Sequence, residues 1–147
     1  MPDPEGEKLF AAGLKALAAH NTLTALVFFE KAVAKEDMPI YSSHMAYCIA
    51  KERGQFQLAV TLCEKAIARD PKTPSHYLHL GRIYLLAGKK SEAVRTYREG
   101  LAFERDQELI EELDRLETRK SPVLSFLKRD NPINRILGIV LRKSGFR

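Results

Sequence analysis

The sequence predicts an all-α fold, a solenoid of three stacked helix-turn-helix hairpins followed by a C-terminal capping helix. Three observations predict it: self-similarity at a constant 34-residue offset, apolar residues at helical spacing inside each copy, and turn residues where each helix should stop. KAVAKED (31–37), KAIARDP (65–71) and EGLAFER (99–105) align on that offset. Ala25, Ala59 and Ala93 share one column, and Ala32, Ala66 and Gly100 another. Gly13 pairs with Gly81, Gly54 pairs with Gly88, and Phe29, Cys63 and Tyr97 fall together. Behind a lead of residues 1–5, the repeat units are 6–39, 40–73 and 74–107.

Each unit reads as two short helices. In the third, Thr73 and Pro74 supply an N-cap and a first-turn proline. Tyr77, Leu80, Gly81 and Tyr84 then recur at helical spacing before Leu86, Ala87 and Gly88 close the helix. A second helix carries Ala93, Val94, Tyr97 and Leu101 on one stripe. The small residues in fixed columns have a packing reason, because two helices that cross closely admit a hydrogen or a methyl where a larger side chain would separate the backbones. His20 takes the turn position that glycine fills in the other two units, and His76 reads as a surface or turn residue.

Stacked repeats leave apolar ends exposed, so a terminal helix with one polar face is expected, and residues 108–120 supply it. Leu109, Ile110, Leu113 and Leu116 form its stripe, with Glu108, Glu111, Glu112, Asp114 and Glu117 outside. Residues 121–147 follow as a basic amphipathic tail. Asn131 and Pro132 start its last helix, in which Ile133, Ile136, Leu137, Val140 and Leu141 lie on one stripe.

Composition narrows the function. A chain of 147 residues, 45% hydrophobic and 29% charged, is long enough for one ordinary domain and is neither disordered overall nor a disulfide scaffold. No apolar run approaches the ~20 residues a bilayer needs, and the acidic MPDPEGEK start is unlike a signal peptide, so a cytoplasmic setting is expected. Cys48 and Cys63 lack metal-finger spacing and read as reduced thiols. The net charge of +5 hides a division: residues 1–118 hold 16 Lys/Arg against 18 Asp/Glu, and 119–147 hold eight basic residues against Asp130 alone. A main body of about neutral charge lacks the basic stripe of a nucleic-acid-binding surface.

The 34-residue pattern resembles the tetratricopeptide repeat family. In the third unit Tyr77, Leu80, Gly81, Tyr84, Ala93, Tyr97 and Gly100 sit at that family's small and aromatic positions, with Arg105 where proline is usual. The second unit has Ala46, Ala59, Cys63, Ala66 and Pro71 but departs at Ser43 and Tyr47. The first has Leu9, Ala12, Gly13, Ala25, Phe29 and Ala32, with Ala16 and Asp37 departing. The resemblance covers about 6–107 and implies a right-handed superhelix that binds protein or peptide, with the first helix of each hairpin lining the concave side.

The groove residues implied by that resemblance are Phe10, Leu14, Tyr41, His44, Met45, Cys48, Leu78, His79 and Arg82. Phe10, Leu14, Tyr41, Met45 and Leu78 are expected to be the exposed ones. Family members that capture a C-terminal carboxylate use Lys, Asn and Arg side chains, and those positions carry Phe10, Leu14, Met45, Ser75 and His79 here. An apolar or amphipathic helical segment of a partner, in an adaptor or co-chaperone-like role, suits this lining better. His44, Cys48 and His79 could together form a metal site, but the spacing favours a polar rim, and no metal or cofactor is expected. No phosphate loop, nucleophile elbow or HExxH motif is present, and catalysis is not expected.

The tail leaves several readings open. It could pack on its own solenoid, which the −5 block at 104–117 favours, or enter a neighbour's groove to give a homodimer. As the alternative function, it could contact a membrane or nucleic acid through Arg135, Ile139, Arg142 and Lys143.

Overall fold

The computed structural model describes residues 2–119. These form seven α-helices, α1 Pro4–Ala18, α2 Thr22–Lys35, α3 Pro39–Arg53, α4 Phe56–Arg69, α5 Pro74–Leu86, α6 Lys90–Phe103 and α7 Gln107–Arg119, with no strand among the described residues. The chain divides into two units at residue 110, and of the second only residues 111–119 are among the described residues. The first unit contains the three hairpins α1/α2, α3/α4 and α5/α6, with α3 packed on both α2 and α5 and α4 on α5.

Local chemistry sets the helix ends. The Asp3 carboxylate accepts the Glu5 amide at 2.9 Å and Pro4 occupies the first turn, so α1 starts with one free amide satisfied and one removed. Asn21 caps α2 through the Thr24 amide at 3.2 Å, and Asp106 accepts the Leu109 amide at 3.1 Å. Thr73 departs from expectation. It makes no side-chain cap on α5, because its hydroxyl donates to the Asp70 carboxylate instead. Each hairpin turns through one left-handed residue, at His20, Gly54 and Gly88, with φ of 61°, 65° and 78°. The first of these positions therefore holds a side chain where glycine would be unstrained.

The small-residue columns are the helix crossings. Ala25, Ala32, Ala59 and Ala93 are fully buried, and Ala66 is nearly so. A Cβ on Gly13 would lie 2.4 Å from Phe29 Cε1, and one on Gly81 would lie 2.1 Å from Tyr97 Cε1. The aromatic columns thus fill the space that the glycine columns leave. In the second hairpin the sizes are exchanged, with Tyr47 in the glycine column and Cys63 in the aromatic one, and Tyr47 faces forward to lie 5.7 Å from the His79 ring. Two core clusters result. One joins Ala25, Leu26 and Phe29 to Cys48 and Ile49, and the other joins Ala46, Ala50, Ala59 and Cys63 to Leu80 and Ile83. At roughly 25 cal/mol per Å² of apolar surface removed from water, this burial is the main term favouring the fold.

A polar network crosses the stack beside these clusters. His76 is fully buried, so the surface role expected for it is corrected. Its Nδ1 lies 2.9 Å from the Ser43 hydroxyl and its Nε2 lies 3.5 Å from the Asp70 carboxylate. The side chain bridges α3 and α5, and burial lowers its pKa while Asp70 opposes the shift.

Candidate protein-binding site

The first helices of the three hairpins share one face, and a pocket of about 250 Å³ opens on it. Leu14, Leu17 and Ala18 from α1 form one wall, and Ser75, Leu78 and Arg82 from α5 form the other. His44 and His79 line it between them, and Glu108 of α7, which the sequence puts on the outer face of the capping helix, also borders it. Five of the nine groove residues, Leu14, His44, Leu78, His79 and Arg82, therefore meet at one pocket.

Their exposures differ from expectation. Leu14 is 39% exposed, but Tyr41 and Leu78, expected to be exposed, are 3% and 5% exposed and contribute packing rather than open surface. Phe10 covers Tyr41, with ring centroids 4.8 Å apart, and meets His44 edge-on at 5.0 Å. Met45 packs against the cluster of Leu26, Phe29 and Ile49. Cys48 is fully buried in that same cluster, beside Ala25, Leu26 and Phe29 of α2. It is not part of the pocket wall. Burial pushes its thiol up to about 12, so it stays protonated at neutral pH.

The two imidazoles give the pocket its chemistry. His44 and His79 lie 4.2 Å apart, edge to face. His44 Nδ1 donates to the Ile40 carbonyl at 2.9 Å, which fixes its tautomer and leaves Nε2 as an acceptor. Desolvation lowers the pKa of His44 to about 4, with His76 and Arg82 adding to the shift and the Ile40 carbonyl opposing it, and burial holds that of His79 well below the usual value, aided by His44, Arg82 and His76. Both are neutral at pH 7. His79 is 2% exposed, with neither ring nitrogen hydrogen-bonded. Among the described residues no group of three or more His, Cys, Asp or Glu side chains is placed to hold a metal ion.

A second pocket of about 440 Å³ lies between α3 and α4, where the Arg69 guanidinium pairs with the Asp37 carboxylate at 2.8 Å. It contains none of the groove residues. The tail residues Arg135, Ile139, Arg142 and Lys143 lie outside the described residues. No helix among the described residues is long and apolar enough to cross a membrane.

Comparison with known proteins agrees with this architecture. Residues 50–113 match the tetratricopeptide repeat family. The tetratricopeptide domain of Sgt2 from Aspergillus fumigatus superposes with a TM-score of 0.67 at 24% identity, covering 80% of this chain and 80% of that one. The first such domain of Spaghetti (RPAP3), bound to the HSP90 peptide SRMEEVD, gives 0.64 at 19% identity over 81% of this chain and 98% of that one. The Arabidopsis OM64 domain gives 0.61 at 23% identity over 76% and 93%. These likenesses are at the level of the fold.

Proposed function

We propose, from the premise that the chain belongs to the tetratricopeptide repeat family, that it is an adaptor that works by binding rather than catalysis and receives an apolar or amphipathic helical segment of a partner protein. The observation that carries this reading is the pocket on the α1, α3 and α5 face, where Leu14, Leu17 and Leu78 surround two neutral imidazoles. A volume of about 250 Å³ is below the range of small-molecule sites and suits one or two anchoring side chains of a docked segment.

The Spaghetti domain holds an acidic HSP90 peptide, which frames the comparison. A charged, carboxylate-ended ligand needs several donors fixed in place. Here the wall offers one guanidinium, Arg82, and a carboxylate on Glu108 opposes it. The near cancellation of charge supports an uncharged, apolar anchor, within a co-chaperone-like role that the neighbouring structures make reasonable. The test is capture of partners by the full chain against its Leu14→Glu variant at moderate salt, with retained proteins identified by mass spectrometry. Leu14 is partly exposed, so the variant keeps the fold while placing a charge at the pocket mouth. Loss of a partner that wild type retains fits the proposal, and equal retention contradicts it.

A further inference from the structure

A separate pocket of about 360 Å³ lies between α4, α5 and α6, and its chemistry is unlike that of the groove. Its floor is Ile67 and Leu80, its aromatic walls are Tyr77 and Phe103, and two carboxylates, Glu64 and Glu99, stand over it. Phe103 is 53% exposed, with its ring centroid 6.0 Å from that of Tyr77 and the planes inclined by 31°. The Phe103 ring therefore rests on Tyr77 with about half of its surface open beside the apolar floor.

Two acids stand at the mouth of the pocket. Glu64 and Glu99 are exposed and, among the described residues, belong to no ion pair. They reach the pocket from different helices, α4 and α6, and burial raises the pKa of the Tyr77 phenol that lines it, with Glu99 and Asp70 raising it further.

We propose that this pocket binds a lysine or arginine side chain presented by a partner protein. The aliphatic stem would lie on Ile67, over the buried Leu80 and Tyr77 that back the pocket, the cation would face the Phe103 ring, and Glu64 and Glu99 would neutralise it. Each element matches one part of such a side chain. Apolar surface covers methylenes, ring faces carry the negative end of the quadrupole, and unpaired carboxylates supply opposite charge at the mouth. The assignment is independent of the groove, since none of these six residues lines it.

The test follows the pocket resonances of the full chain by NMR during titration with n-butylammonium, 1-butanol, spermidine and the peptide Ac-Leu-Lys-Leu-NH2. The expected result is saturable shifts at Ile67, Leu80 and Phe103, with butylammonium binding at least about five-fold tighter than butanol. The lysine peptide should compete for the same signals and bind tighter still. Glu64→Gln with Glu99→Gln should erase the preference for the cation and its salt dependence while leaving helicity unchanged. Phe103→Leu should weaken the cation by about three-fold more than it weakens butanol. Equal binding of butanol and butylammonium would overturn the proposal, as would full retention of cation binding in the glutamine variant. Spermidine outbinding the lysine peptide would overturn the choice of a partner side chain, and absence of any shift up to about 50 mM would overturn the site.

Discussion

Acidification should unfold this protein earlier than its carboxylates alone require, and the cause is the His44–His79 pair. An unfolded histidine titrates near 6.5, whereas burial holds His44 at about 4 and His79 well below its usual value. A histidine whose folded pKa is depressed contributes its full stability above the unfolded pKa and loses it as pH falls between the two values. For His44 alone the loss amounts to about 2 kcal/mol at pH 5 and about 3 kcal/mol by pH 4. His79 acts in the same direction, and once either ring is charged, the other, 4.2 Å away, together with Arg82 opposes further protonation. His76 adds to the effect, with Asp70 limiting it.

The assay is urea unfolding followed by circular dichroism at pH 7.5 and pH 5, comparing wild type with His44→Leu, His79→Leu and the double variant. Wild type should lose at least about 2 kcal/mol more than the double variant across that interval. At pH 7.5 His79→Leu should be neutral or stabilising, because it removes two buried ring nitrogens that have no hydrogen-bond partner. Equal acid sensitivity in wild type and double variant would refute the reasoning, since common carboxylate titration cancels in the difference.

The remaining predictions rest on packing and accessibility. Gly81→Ala should cost about 1–3 kcal/mol in a denaturant titration, because its new Cβ would lie 2.1 Å from the Tyr97 ring. Gly88→Ala has open space around it, so its smaller cost of about 1 kcal/mol should come from the left-handed backbone at φ 78°. His20→Gly should raise stability by up to about 1 kcal/mol, because φ at that turn is 61°. The thiols of Cys48 and Cys63, both free, buried and pushed well above their ordinary pKa, should resist a disulfide reagent at pH 8 in native buffer and react in full in denaturant.

The hairpins were legible because repetition is a property of sequence itself. Columns such as Ala25, Ala59 and Ala93 mark helix crossings, and the glycines that terminate helices, Gly54 and Gly88, mark turns. Individual side-chain burial was less legible, because it depends on which neighbour covers a position. Tyr41 was expected at the surface and lies under Phe10, a residue from another helix. His76 looked like a turn residue, and its partners Ser43 and Asp70 come from a preceding helix and a connecting loop. Tyr47 looked like a departure from the repeat, yet with Cys63 it exchanges large and small across the columns that Gly13 and Phe29 fill in the first hairpin. The acidic pocket escaped sequence reasoning because Glu64 and Glu99 lie on helix exteriors, where solvated charge is the ordinary role, and the approach of Glu64 to Glu99 and Phe103 depends on how α4 and α6 pack. Phe10 and Met45, expected to be exposed in the groove, instead take part in packing, since Phe10 stacks on Tyr41 and Met45 adjoins the core, so pairing Phe10→Ala with Met45→Ala would disturb the fold as well as the groove.

The most direct measurement of the binding claim places a photo-crosslinking residue at position 14 or at position 27 of the full chain. The two wild-type side chains, Leu14 on α1 and Val27 on α2, are 39% and 43% exposed, so access to bulk solvent is matched while only Leu14 borders the groove pocket. The account expects a discrete protein adduct from position 14 and none from position 27. Adducts of equal yield from both positions, or from position 27 alone, would contradict it.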